Sequence, residues 1–263
     1  MSRIATAPRR SNASAERTPT RPYPSSYLKR SEMAFASLVF LLPFVVLYEL
    51  GTRYFAFDPA HQTERRIIAF NLMHQFFLWC GATGRYMPPI AVVGLLLAVH
   101  IARNDPWKVS RTTLIGMAIE SAAWAVPLLA LGMLAARLLY HHVPLLTGQG
   151  DWRTMLVLSL GAGIYEELVF RLVGLILLHL LLIDVLRMPR KWGYLLMVVI
   201  TSIVFAQYHY WGGETFTWRS FVFRTIAGAY FAALFLFRGF GITAFTHSCY
   251  DIFLVLLGIS AGV

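Results

Sequence analysis

Apolar residues fall along this chain in long blocks separated by short polar pieces: 33–50, 66–80, 87–101, 113–139, 154–182, 192–210, 221–237 and 241–259. A helix needs about 20 mostly apolar residues to cross the hydrocarbon of a bilayer, and most of these blocks come close to that length. The pattern predicts an all-α, polytopic membrane helical bundle of seven or eight helices. Block 66–80 is the one open to another placement. Asn71, His74 and Gln75 interrupt it, so it can lie in the interface as an amphipathic helix rather than cross. Blocks 113–139 and 154–182 are longer than one crossing needs, which implies tilt or extension beyond the hydrocarbon. Pro43 lies inside the first block as an expected kink.

The polar pieces orient the bundle. Residues 1–30 hold Arg3, Arg9, Arg10, Arg17, Arg21, Lys29 and Arg30 against the single acid Glu16, with no apolar periodicity. We read them as a mobile, basic cytoplasmic tail, and residues 31–263 as one transmembrane domain. The tail is long for the charged region of a signal peptide, and no small-residue cleavage site closes block 33–50. Segments 103–111 (Arg103, Lys108, Arg111) and 184–191 (Arg187, Arg190, Lys191) are also basic. If both lie on the tail's side, an odd number of crossings separates the tail from residue 103. That favours a non-spanning second helix and seven spans, in the inner or plasma membrane with a cytoplasmic N-terminus.

Composition agrees: 57% of residues are hydrophobic and 14% charged, against about a quarter charged in soluble domains. The formal charge of +10 comes without zinc-finger spacing or a basic recognition helix, so membrane lipids rather than nucleic acid are the expected surroundings. Cys80 and Cys249 show no metal-binding spacing and are expected to be two buried thiols acting as small hydrophobes. No internal repeat of the transporter kind is evident.

Ionisable groups at hydrocarbon depth cost about 2.5 to 3.5 kcal/mol each on insertion scales. The chain nevertheless keeps Glu166, Glu167 and Arg171 in one block, Phe205 and His209 at the end of another, and His247 and Asp251 in the last. Glu167 and Arg171 are four apart and share a helix face, so they can pair. Glu166 points about 100° away, toward a neighbour on another helix. Phe205 and His209 are one turn apart, as are His247 and Asp251. A confined carboxyl and imidazole can exchange a proton with water, and a second His with an Asp can orient that water or stabilise an oxyanion. An ionised Asp would repel the oxyanion unless it is protonated or acts through another donor.

With these motifs the chain resembles the CAAX-processing and bacteriocin-protection (CPBP, or Abi) intramembrane endopeptidases, which carry EExxxR, FxxxH and HxxxN or HxxxD-like motifs in that order. The resemblance covers residues 113–259, the expected catalytic core. It implies peptide-bond hydrolysis without a cofactor, with Glu166 and His209 activating water, His247 and Asp251 lining the oxyanion side, and Glu167 and Arg171 holding the first motif in place. Asp251 departs from the Asn of similar enzymes. The implied partner is a membrane-tethered protein or peptide that enters as a tail or a partly unwound helix.

Other readings stand beside this one at the level of sequence. Glu166, His209 and His247 can be ligands of a catalytic zinc, since two His and one carboxylate with an open position is a known arrangement, although no HExxH pair is present. A non-enzymatic immunity or scaffold protein, or a proton-coupled transporter, also uses polar groups in membranes. His141 and His142 read as solvated loop residues. The tryptophans, among them Trp107, Trp124, Trp152, Trp192, Trp211 and Trp218, read mostly as headgroup anchors. Gly212 and Gly213 read as a turn close to the cavity.

Overall fold

The computed structural model describes residues 21–59, 62–140 and 151–259. The expected tail falls mostly outside them, and so do His141 and His142. The described part of the tail ends in a short helix, α1 (Tyr27–Ser31), followed by α2 (Ala34–Phe55), a two-stranded ribbon of β1 (Phe57–Asp58) and β2 (Thr63–Glu64), α3 (Ile68–Trp79), α4 (Met87–Arg103) and α5 (Arg111–Tyr140). A long rod then runs from Trp152 to Val185. It opens as α6 (Trp152–Gly161), widens into π-helical turns at Ala162–Glu166 and Leu168–Val173, returns to α geometry in α7 (Gly174–His179), and widens again at Leu180–Val185. The chain closes with α8 (Arg190–Tyr208), a 3₁₀ turn (His209–Gly212), α9 (Trp218–Arg238) and α10 (Phe240–Leu256).

Five stretches among the described residues are long and apolar enough to cross a membrane: Ala34–Phe55, Arg111–Ala135, Trp152–Val185, Arg190–Gly212 and Trp218–Arg238. The expected seven or eight helices are therefore not reached on length and composition alone. Met87–Arg103 and Phe240–Leu256 are apolar but shorter. The 12 residues of α3 extend only about 18 Å, well short of the roughly 30 Å hydrocarbon.

Local chemistry sets the ends of these rods. Pro88 and Pro89 open α4, where their missing N–H groups cost nothing, and Asn104 closes it in the left-handed conformation, with φ 53°. Asp151 caps α6 and Thr217 caps α9 through their side chains. Where neighbours must approach closely, side chains disappear. A Cβ on Gly163 would overlap Ser248 and the Ala244 carbonyl of α10, so glycine lets the first π turn lie directly against that helix.

The bundle has two distinct ends. At one, Arg238 ties α9 to Glu120 of α5, to Glu32 at 2.9 Å and to Ser31 at 2.8 Å, and Tyr27 donates to Glu120 at 2.6 Å. This end also carries Lys29, Lys108 and Lys191, the three lysines of the chain. At the other, Thr154 donates to the Phe55 carbonyl, and Arg66 bridges Glu49 (2.9 Å) and Glu64 (2.6 Å), tying the ribbon to α2. Between them lies an aromatic and aliphatic core built around Leu41, Tyr48, Phe70, Ile164, Tyr165 and Leu168.

Two expectations change. Cys249 is buried but Cys80 is exposed, because α3 ends at Trp79 on the surface of the bundle. Trp124 lies within α5 rather than flanking it, and its indole donates to Glu120 one turn earlier, at 3.2 Å.

Candidate active site

Three helical rods bring the flagged residues together. Glu166 ends the first π-helical turn, and the widened helix turns it away from its neighbour Glu167. Both carboxylates are buried, and they meet different partners. The Oε2 atom of Glu166 lies 3.9 Å from Nε2 of His209 and also 3.9 Å from Nε2 of His247. Glu167 faces the other side of the imidazole of His247, with Oε1 2.8 Å from Nδ1, while its Oε2 lies 3.1 Å from Nε of Arg171. That ion pair is fully buried and too oblique to count as a hydrogen bond, since neither atom finds one. The guanidinium gains one from Nη2 to the Gly228 carbonyl at 3.1 Å and sits over the Phe205 ring, 4.2 Å from its centroid.

Hydrogen bonding fixes how the two imidazoles are presented. Nδ1 of His209 is 2.7 Å from the Phe205 carbonyl. A carbonyl only accepts, so Nδ1 carries the hydrogen, and in the neutral ring the lone pair of Nε2 faces Glu166. The spacing of Phe205 and His209 thus has a backbone role as well as a packing one. Glu167 likewise accepts from Nδ1 of His247, whose Nε2 then faces both Glu166 and Asp251, the latter at 3.7 Å. Phe231 stacks on the His247 ring at 4.5 Å and 19°, holding its plane.

Several participants carry no sequence motif. Tyr208 donates to Oε1 of Glu166 at 3.3 Å and accepts from the Ala69 N–H at 2.7 Å, linking the start of α3 to the central carboxylate. Nothing in an apolar block distinguishes this tyrosine beforehand. Arg224 had a signal, because it is charged and lies within block 221–237. It pairs with Glu214, is 7% exposed with an unpartnered Nη1, and its charge acts on both His209 and Asp251. The turn after His209 ends at Gly213 with φ +89°, and a Cβ on Gly212 would overlap Ile68. This turn closes directly onto α3 beside the site.

The donor types suit zinc, but their placement does not. Ligands about 2.0 to 2.1 Å from a tetrahedral metal stand roughly 3.3 to 3.4 Å apart, whereas Glu166 is 3.9 Å from each imidazole nitrogen. Among the described residues, no three His, Cys, Asp or Glu side chains converge as a metal site.

The family model described as "Type II CAAX prenyl endopeptidase Rce1-like" matches residues 148–253, which contain every one of these motifs. A CAAX/Abi family domain therefore spans residues 148–253 of the chain. The chain is classed as a membrane endopeptidase of the CAAX/CPBP type, and the buried Glu–His pairs are the part of this family fold consistent with catalysis. No curated protein and no solved structure matches the chain.

Proposed function

We propose that the protein hydrolyses a peptide bond in a membrane-tethered protein or peptide, using Glu166 and His209 to activate water. The supporting observation is the convergence of two imidazole Nε2 atoms on one carboxylate oxygen of Glu166, at 3.9 Å each, an oxygen with no other hydrogen-bond partner. These gaps are too long for direct hydrogen bonds, but a water about 2.8 Å from each atom spans them. In this reading Glu166 takes a proton from that water as its oxygen bonds to the scissile carbonyl carbon, and the Nε2 lone pair of His209 holds the second hydrogen. The carbonyl electron pair moves onto oxygen, where Nε2–H of His247 in its doubly protonated form donates to it. The C–N bond then breaks, and the leaving nitrogen takes the proton from Glu166.

Asp251 sits behind His247 on the oxyanion side and acts through that ring, which removes the objection to an ionised carboxylate facing an oxyanion. Glu167 and Arg171 support the site by fixing His247 and the first motif. Seven crossings best fit the bundle: the five long stretches plus α4 and α10, with α3 in the interface. That count puts the N-terminal tail in the cytoplasm under the positive-inside rule. Residues 31–263 then form one domain with the catalytic core at 113–259, and a substrate enters sideways from the lipid.

The test is a cleavage assay in detergent with single-span peptide reporters and Glu166→Gln. This change keeps shape but removes the base, so cleavage should fall by at least about a thousandfold while the protein purifies normally. Near-normal cleavage by folded Glu166→Gln would refute the assignment.

A further inference from the structure

The position of the site along the bundle bears on where its substrate lies. Arg171 reaches the carbonyl of Gly228, the midpoint of α9 (Trp218–Arg238). Glu166 precedes Arg171 by five residues on a rod that starts at the end opposite the lysines, so it lies up to about 7 Å beyond that midpoint, away from the lysine-bearing end. His209 is 19 residues along from Arg190, roughly 28 Å of helix, which brings it close to the far boundary of the hydrocarbon. Exposure follows the same axis. Glu167 and Arg171, toward the lysine-bearing end, are 0% exposed; His209 and Asp251 are 19% and 21% exposed, and Asp251 lies one turn beyond His247 toward the far end. Below the carboxylates the bundle is filled by Leu168, Phe170, Leu172, Phe205 and Leu234, all buried. The partly exposed side of the site is therefore at the far end, beside α3 and the Gly212–Gly213 turn.

The charges assign that end to a side of the membrane. Lys29 and Arg30 precede α2, Arg103, Lys108 and Arg111 join α4 to α5, and Arg187, Arg190 and Lys191 join the long rod to α8. All lie at the end opposite the opening. The far end has eight arginines and no lysine, against fourteen lysines and arginines in the tail and connections at the lysine-bearing end; four of the eight are paired with carboxylates, Arg53, Arg66 and Arg85 with Glu64 and Arg224 with Glu214. The positive-inside rule counts basic residues in short loops, and here they place the lysine-bearing end in the cytoplasm.

We infer that the catalytic cavity opens on the face of the membrane opposite the cytoplasm, so that its substrate is a polypeptide segment presented at that outer face rather than a cytosolic tail. This rests on the protease reading for its chemistry, but the side of the opening is testable without it. The exposed native Cys80, on the far-end α3, should react with a membrane-impermeant maleimide in intact cells. In a Cys80→Ser background, Asp251→Cys should also label from outside, while Pro106→Cys in the α4–α5 connection should label only after permeabilisation. The reverse pattern would overturn the inference.

A second arm compares two single-span reporters carrying the same cleavable segment, one on the outer and one on the cytoplasmic side of its span. Both should be cut in detergent, and only the outer one in intact membranes, by a margin of at least about tenfold. Cleavage of only the cytoplasmic reporter in membranes would refute the inference. Failure to cut either reporter in detergent would count against the protease reading, and the labelling pattern would still decide the side.

Discussion

Replacing Glu167 by Gln tests the division of labour between the adjacent glutamates. The wild-type side chain has no exposure and two partners: Oε1 takes Nδ1 of His247 at 2.8 Å, and Oε2 faces Nε of Arg171 at 3.1 Å. Gln keeps the volume. If its oxygen stays with His247, however, its NH₂ must face the guanidinium, donor against donor, and Arg171 is left buried with the Gly228 carbonyl as its one hydrogen-bond acceptor. Breaking a buried pair this way typically costs about 3 to 5 kcal/mol. For a domain of this size each kcal/mol lowers the melting temperature by about 2 to 4 °C, so the variant should melt roughly 6 to 20 °C below wild type in detergent. Cleavage should fall as well, because His247 loses its anchor. Glu166→Gln should melt close to wild type, since the imidazoles stand 3.9 Å away, beyond direct hydrogen-bond reach, and the Gln carbonyl can still accept from Tyr208. The assay pairs a melting curve with a cleavage rate for both variants and for Arg171→Ala, which should follow Glu167→Gln. An inactive Glu167→Gln that melts with wild type, or a Glu166→Gln that melts as low as Glu167→Gln, would show the two roles to be reversed.

Tyr208→Phe removes the hydroxyl that donates to Glu166 and leaves the buried Ala69 N–H without its acceptor; we expect a stability loss of about 1 to 3 kcal/mol and a lower kcat with little change in KM. Wild-type melting temperature and kcat would show that the hydroxyl positions nothing. The carboxyl of Glu64, outside the spanning helices, is held below its ordinary range: burial opposes this, but hydrogen bonds from Arg66 and Arg85 outweigh it. A lowered folded value contributes stability above the unfolded value, about 4.3, and loses it as pH falls through the folded one. The melting advantage of wild type over Glu64→Gln should therefore be full at pH 7 and shrink from about pH 4 downward, and a constant advantage to pH 3 would remove Glu64 as its source. Exhaustive chelation should leave the cleavage rate unchanged, because the donors around Glu166 are spaced too widely for zinc; loss of activity restored by added zinc would overturn this.

Some of this was readable from residues alone, for a physical reason. Glu166, Glu167, Arg171, His209, His247 and Asp251 stand out because charge in hydrocarbon is costly, and their order along the chain carried the family resemblance. The same criterion also pointed at Arg224, hidden only because no motif contained it. Tyr208 gave no signal, since an apolar block accommodates a tyrosine whether its hydroxyl is used or not. Block 66–80 was legible as a short apolar run broken by polar residues, but not that the N–H of Ala69 donates to Tyr208 beside the site.

The link the sequence could least supply is the one between helix periodicity and direction. At 3.6 residues per turn, Glu166 and Glu167 diverge by about 100°, which separates them without saying which partner each finds. The π-helical turns from Ala162 to Val173 change that phase. Gly163 sets the rod directly against α10, so Glu167 meets Nδ1 of His247 while Glu166 lies toward Nε2. One imidazole is thus held between two carboxylates from adjacent residues, and this juxtaposition follows from a wider helix packed at a glycine, neither of which has a residue period that can be read in advance. It also explains why removal of either carboxylate should disable the site while only the loss of Glu167 should destabilise the fold. Glu166 works across gaps that a water fills, whereas Glu167 is in direct contact with both of its partners.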